Sequence, residues 1–368
     1  MKDFRASRRS VLKVLGGGAG MLAMPYVIRP RPAWAQDKVL NITTYDKFIP
    51  PDFVDKFQSD TGITVQIRLT DDQGKQYNLV AAEGGNPTTD IVTVAGHRFS
   101  QWVTADLLTA VDTDRIPNWK TLNPAYQNAE WLKINGNVYG LPILAGFEGL
   151  ARNTEYTKAS DSWGIMFDPE YKGLTSYIVS DFLSVTMLYL GDDGDFVTYT
   201  DKPEVAQAAT NKARDYLIEH KDMVRKYYDA GSEVQQMFIN EDIYVGHSWS
   251  GPATKLILDG HPIELSVPKE GSYGFIYSLN VVKNAPNEEN AFKFLDALLQ
   301  SPEVGAAMTR ASGFNSTFAG VEKVFGESER KALTLPQEQL ERLRFFVSDN
   351  RDMKNEMIDR ATAEVKAA

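Results

Sequence analysis

No cysteine occurs in the sequence, which excludes a disulfide framework, thiolate metal sites and a cysteine nucleophile. It also excludes the N-terminal cysteine that would carry a lipid anchor. Histidine is scarce, with His97, His220, His247 and His261 the complete set, so histidine-based catalysis or metal binding has few residues to draw on. Basic charge is in deficit, 39 Lys and Arg against 49 Asp and Glu. Such a balance disfavours nucleic acid and anionic membrane surfaces as partners. Long apolar runs are missing except for one, from 14 to 28, and Gly16, Gly17, Gly18 and Gly20 interrupt it. A span needs about 20 apolar residues, so this run is short for a membrane anchor.

That run follows Ser7-Arg8-Arg9-Ser10-Val11-Leu12-Lys13, a twin-arginine pattern, and precedes Ala33-Trp34-Ala35, a small-x-small cleavage site. Residues 1–35 therefore read as an export signal, with the mature chain starting at Gln36 in a periplasm, free of membrane. The glycines lack a following Lys-Ser/Thr and make no phosphate loop. Removing 1–35 leaves 32 bases and 48 acids, a net charge of −16. The remaining 330 or so residues are enough for two domains.

The mature sequence alternates strand and helix signals. A β-rich run at 39–43 leads to Pro50-Pro51 and a helix with Phe53, Val54 and Phe57 on one face. Gly62 ends it, and Ile63, Val65 and Ile67 alternate as a strand. A helix at 76–83 and a buried strand at 90–94 follow, with a further helix and loop through 99–108. Asn135-Gly136 predicts a hairpin turn. A second cycle places a strand at 175–179, a helix at 183–190, a long helix after Asp201 with Pro203 in its first turn, and strands at 243–248 and 276–282. A helix at 289–300 and a charged helical tail close the chain. The rhythm predicts an α/β fold with mainly parallel sheets.

Collinear stretches then carry a family resemblance. They include Tyr45-Asp46-Lys47-Phe48-Ile49-Pro50-Pro51, Thr61-Gly62-Ile63, Asp90-Ile91-Val92 and Asn118-Trp119-Lys120-Thr121-Leu122-Asn123-Pro124. Gly136-Asn137-Val138-Tyr139-Gly140-Leu141-Pro142, Pro169-Glu170-Tyr171-Lys172-Gly173, Trp249-Ser250-Gly251 and Val267-Pro268-Lys269-Glu270-Gly271 continue the series. Over nearly the whole mature chain the sequence resembles the periplasmic spermidine/putrescine-binding proteins of ABC importers. The resemblance implies a two-lobed clamshell joined by crossing strands, with lobe one at 36–146 and 277–318 and lobe two at 147–276 and 319–368. It implies a monomer that captures a small amine or zwitterion between the lobes and docks on ABC permease subunits, without cofactor or catalysis.

The same resemblance assigns site residues. Tyr45 and Phe48 fall at aromatic walls, beside Asp46, and Trp249 at a binding tryptophan. A cation over such rings gains about 0.5–2 kcal/mol. The acids depart from the pattern: Tyr277, in Phe275-Ile276-Tyr277, stands where the family has a carboxylate, and Ile178 replaces another. Asp181 falls on an acidic position, with helix capping as its alternative role. Glu148, in Gly146-Phe147-Glu148-Gly149, is an additional acid beside the crossing. His97 and Arg98 replace aromatic positions, and Arg98 has the geometry to hold a carboxylate or phosphonate. An amine-containing solute is the first reading, and an anionic ligand such as an opine or aminophosphonate, or a sensory role, is the alternative.

Three other motifs are set aside. Gly246-His247-Ser248-Trp249-Ser250-Gly251 lacks the glycine two residues after Ser248 that a nucleophile elbow needs. Tyr227-Tyr228 invites comparison with ferric-ion receptors, but 222–230 reads as helical. Asp192-Asp193-Gly194-Asp195 misses the EF-hand spacing and reads as an acidic turn.

Overall fold

The computed structural model describes residues 38–70, 72–127, 133–199, 201–345 and 351–368; the signal segment 1–35 lies outside the described residues. Strand β1 (Val39–Thr44) lies parallel to β2 (Thr64–Leu69) and β3 (Ile91–Ala95). All five residues of β3 are buried. Being covered on both faces is what an interior parallel strand requires, and the apolar run Ile91-Val92-Thr93-Val94 supplies it. Helix Pro51–Thr61 connects the first two strands, with proline at its first turn and Gly62 (φ 68°) closing it.

Two long strands organise the rest. Strand β6 (Leu141–Asn153) runs antiparallel to β11 (Ser272–Val281) through its first half. Its second half, Glu148 to Arg152, pairs antiparallel with β9 (Val245–Trp249). Strand β7 (Thr175–Ile178) is parallel to both β9 and β8 (Val224–Tyr228). The order is therefore β2-β1-β3-β11-β6-β9-β7-β8. The crossing of β6 carries the chain from one hydrophobic core to another. The first core gathers Leu40, Ile42, Ile91, Leu141 and Leu279, together with Phe294 and Leu298 of helix Glu288–Leu298. The second gathers Leu150, Trp163, Phe182, Val245 and, from the C-terminal helix Arg351–Ala367, Ile358, Ala361 and Val365. A smaller core around Ile178, Phe238 and Leu256 flanks the second.

Most elements agree with the sequence reading, and two do not. Residues 222–230, read as helical, contain strand β8 at Val224–Tyr228. Arg225 and Lys226 are both exposed at the sheet edge, which hides the period-2 alternation, while Tyr228 is buried. The charged tail is not wholly helical either, since β13 (Leu343–Phe345) adds to the sheet beside β11. The Asn135-Gly136 turn does join β4 (Lys133–Ile134) to β5 (Asn137–Val138), with φ of 52° and 79° at its two central residues.

One glycine contact links the cores at the crossing. Gly313 ends helix Pro302–Ser312 at φ 78°, and a Cβ there would sit 2.1 Å from the Gly251 carbonyl oxygen. Gly313→Ala is expected to lower stability by more than about 2 kcal/mol, because strain and overlap with immobile backbone act together. Denaturant unfolding measures it, and a loss below about 0.5 kcal/mol would show that the backbone shifts freely.

Candidate functional site

Parallel sheets place their strand C-termini together, and a ligand crevice forms where the strand order reverses. Order β2-β1-β3 puts such a point between the ends of β1 and β3. Tyr45 follows β1, and Gly96-His97-Arg98 follows β3. Order β8-β7-β9 does the same in the second core, where Asp181 follows β7 and Trp249 ends β9.

Aromatic rings line the first side. Tyr45 lies 5.1 Å from Phe48 and 5.6 Å from Tyr277, centroid to centroid. Phe48 contacts Tyr277 at 4.9 Å, and Phe314 packs 5.7 Å from Tyr277. Phe275 sits 5.5 Å from Tyr277 on the same strand face. Tyr45 and Tyr277 are half-buried, whereas Phe48 and Phe275 are buried. The half-buried pair are therefore the more exposed members of this aromatic cluster, and the buried pair pack behind them. Gly146, opposite Phe275 on β6, makes room for this arrangement, since a Cβ would lie 2.7 Å from both the Phe275 and Phe314 rings. Phe48→Ala is expected to cost the free protein about 3–5 kcal/mol, the range for a buried Phe, and Tyr45→Ala less than half of that. Chemical denaturation of both variants checks the difference; equal losses would make Tyr45 a core residue.

Polar groups line the second side. Glu148 faces Trp249 across the β6–β9 register. It is 2% exposed, and its Oε2 lies 3.0 Å from His247 Nε2. Burial pushes the Glu148 carboxyl up to about 8, opposed by a hydrogen bond from the Asp181 side chain. Burial first, then the Glu148 charge, pushes Asp181 up to about 7. Burial drives His247 down to about 3, so the ring is neutral, and its Nδ1 has no hydrogen-bond partner among the described residues. Asp181 stands at the N-cap of helix Phe182–Tyr189 but makes no capping hydrogen bond with its side chain, which instead accepts from Ser180 Oγ. The capping role weighed for it is not the one the structure shows.

These shifts fix a pH dependence. Raised carboxyl pKa values contribute stability that is complete below the usual values, 4.5 and 3.8, and is lost as pH rises through about 7 and 8. His247 works oppositely: its contribution is present above 6.5 and lost as pH falls through about 3. Between pH 6.5 and 8 the acids dominate, so the free protein is expected to lose stability as pH rises. Unfolding midpoints across that window check the sign, and Glu148→Gln should flatten the slope.

The remaining candidates are placed as follows. Trp249 is half-buried, 5.7 Å from Tyr228 and nearly perpendicular to it. Asp46 is exposed on the turn after β1. Arg98 is half-buried, and its Nε has no hydrogen-bond partner among the described residues. The side chain of His97 lies outside the described residues. Sequence reasoning passed over His247 as a ligand-site residue, along with Tyr228, whose hydroxyl donates to the His247 carbonyl oxygen at 2.7 Å. It also passed over Lys354 of the C-terminal helix, 3.0 Å from Asp195. A lone histidine inside a buried strand was the available signal. In the 192–195 turn, Asp193 accepts from the Thr198 amide at 2.7 Å and the Asp195 amide at 3.1 Å, as an acidic turn does.

Two cores joined by crossing strands, with an aromatic cluster and two acids at the strand ends, define a clamshell solute receptor. The chain belongs to the bacterial extracellular solute-binding protein family, whose model matches residues 52–331. It is 27% identical over 315 residues to a putrescine-binding periplasmic protein of Pseudomonas aeruginosa, covering 80% of this chain and 83% of that one. Similarity to the putrescine-binding periplasmic protein of Escherichia coli K12 is 26% over 292 residues, covering 74% and 76%. In fold it matches the spermidine/putrescine ABC transporter substrate-binding protein of Streptococcus pneumoniae, with a TM-score of 0.74 at 19% identity over 89% and 99% of the two chains. Like these relatives it is a binding protein of transport and not an enzyme. Among the described residues no helix is long and apolar enough to cross a membrane.

Proposed function

We propose that the chain is the periplasmic receptor of an ABC importer, exported by its twin-arginine signal, and that its solute carries an ammonium group. Lobe one comprises roughly 36–146 and 277–318, and lobe two 147–276 with the C-terminal helix; Val321 and Phe325 pack in the first core and extend lobe one slightly. The lobes close over the solute as a monomer, and the closed form docks on the permease. The observation that carries this reading is the acid pair of buried Glu148 and half-buried Asp181, with Glu148 opposite Trp249 in the β6–β9 register and electrostatically coupled to Tyr277. A pair of carboxyls out of water calls for a cation, and aromatic faces beside it suit an alkylammonium. Glu148 thus compensates for the acid missing at Tyr277.

A second reading rests on Arg98. A half-buried guanidinium with an unpartnered Nε fits a carboxylate or phosphonate at the other end of the solute. The ligand is then a zwitterion rather than a linear polyamine. Thermal unfolding against putrescine, spermidine, choline, betaine, basic amino acids, opines, aminophosphonates and dicarboxylates tests both. A ligand at 100 times its Kd stabilises by about 2.7 kcal/mol, a shift of a few degrees. Shifts with polyamines alone remove Arg98 from the site, shifts with zwitterions establish it, and shifts with dicarboxylates alone refute the amine reading.

A further inference from the structure

Glu148 is held from the core side of its sheet. In the β6–β9 register Glu148 stands opposite Trp249, and His247 lies two residues further from the end of β9, opposite Leu150. Strand residues alternate between faces, so His247, Trp249, Glu148 and Leu150 share one face, with His247 the diagonal neighbour of Glu148. That diagonal is bridged, since His247 Nε2 lies 3.0 Å from Glu148 Oε2. The imidazole has no room to turn away. It is fully buried, with the Trp163 ring 5.3 Å and the Tyr177 ring 6.1 Å away. Trp163 is fixed in turn by its indole N–H, which donates to the Gly271 carbonyl oxygen at 3.0 Å. The Tyr228 hydroxyl holds the backbone of His247 through its carbonyl oxygen. Nδ1 of the ring meets no partner among the described residues. With hydrogen on Nε2 only a lone pair is left unmatched there, whereas the other tautomer buries an unmatched N–H, the costlier arrangement. The Nε2–H therefore donates to Glu148 Oε2.

We propose that His247 is a positioning residue for solute capture: by donating to Oε2 it holds the Glu148 carboxyl so that Oε1 meets the ammonium. This rests on the amine reading above. The donation does not depend on the charge of Glu148. Oε2 accepts as a carbonyl oxygen when the carboxyl carries its proton on Oε1, and as a carboxylate oxygen when it carries none. A glutamate side chain without this bond keeps its rotamer freedom in the free protein and surrenders it at each capture, which costs affinity. His247 removes that cost beforehand, because its own ring is already locked by Trp163 and Tyr177. The histidine touches the solute nowhere in this scheme. It acts through Glu148, from a position two residues along the same strand as Trp249. What the position demands is a donor that reaches as far as Nε2, and a shorter donor of the same polarity leaves Glu148 unheld.

The test uses the whole protein, with putrescine and 4-aminobutyrate as probes and two amide variants that differ only in reach. In His247→Asn the amide is too short to reach Glu148, and titration calorimetry should show binding of the better probe weakened roughly 10–100-fold, the range for one hydrogen bond to a charged group. In His247→Gln the amide reaches as far as Nε2, and affinity should stay within about threefold of the wild type. Unfolding midpoints of the two free variants should agree within a few degrees, so that the difference in affinity is not one of stability. Nitrogen-15 NMR of the wild-type imidazole should place the proton on Nε2 both before and after saturation with the probe, a readout that stands even where the Asn variant fails to fold. Equal losses in the Asn and Gln variants, loss of binding in the Gln variant, or a proton on Nδ1 overturns the positioning role and leaves the amine reading in place. A wild-type protein that binds neither probe overturns the amine reading, and the positioning role with it.

Discussion

Glu148→Gln is expected to weaken capture of an amine solute by a factor on the order of 100–1,000 while leaving the free protein at least as stable at pH 8. The argument starts from burial. Glu148 is 2% exposed, on a strand that belongs to both cores, and its carboxylate is the strongest acceptor the site can offer an ammonium. Removing one partner of a buried ion pair typically costs 3–5 kcal/mol, since the other charge is left uncompensated. Even 3–4 kcal/mol is two to three orders of magnitude in Kd. Without solute the situation reverses. At pH 8 the wild-type acid is only about half ionised, against the opposition of its surroundings, because burial has pushed its pKa to about 8. An amide of the same shape still accepts from His247 and carries no charge to desolvate, so nothing is lost. Titration calorimetry for affinity and thermal unfolding for the free protein separate the two effects. A variant that binds the amine normally would mean the acid pair is structural.

The second large effect lies at the opposite end of the same sheet. Asp90, immediately before β3, is fully buried and accepts three hydrogen bonds: from the Asn41 amide at 2.7 Å, the Asn287 amide at 2.8 Å and Asn287 Nδ2 at 3.1 Å. It ties β1, β3 and the start of helix Glu288–Leu298 together. Asp90→Ala leaves these donors buried and unmatched, at roughly 1–3 kcal/mol each, so a loss of about 3–5 kcal/mol is expected. For a chain of this size that lowers the midpoint by about 5 °C. Solute affinity should change less than threefold, because the proposed site is at the C-terminal ends of these strands and Asp90 is at the N-terminal ends. Unfolding and titration of the purified variant check both halves. A large loss of affinity with intact stability would contradict this division of the sheet.

The contrast between these residues shows what the sequence could and could not display. Strands β1 and β3, helix Pro51–Thr61 and the Asn135-Gly136 turn are local patterns, carried by spacing, a proline and two glycines, and each was readable within a dozen residues. That Tyr45 and Trp249 stand at strand ends was readable from the strand pattern. The contact of His247 was not, because its partner Glu148 is 99 positions away in the chain, and only the β6–β9 pairing brings them together. Strand β8 failed for a different reason. Its two exposed basic residues at the sheet edge mimic one turn of a solvated helix, and the buried Tyr228 beside them was the only contrary signal. Asp181 was read as an acidic position by resemblance, with capping as its alternative, but its neighbourhood with Glu148 depends on the fold. Lys354 shows the same limit, since nothing in a charged C-terminal helix marks one lysine as the partner of Asp195.

The central claim is that the solute is recognised through an ammonium group at Glu148 and Asp181. The most direct measurement is calorimetric titration with four probes of one chain length: putrescine, 4-aminobutyrate, succinate and butane-1,4-diol. Binding of putrescine or 4-aminobutyrate, abolished in Glu148→Gln, with neither succinate nor the diol bound, is the predicted result. Binding of succinate or the diol as tightly as the amines, or amine binding that survives Glu148→Gln, would contradict it.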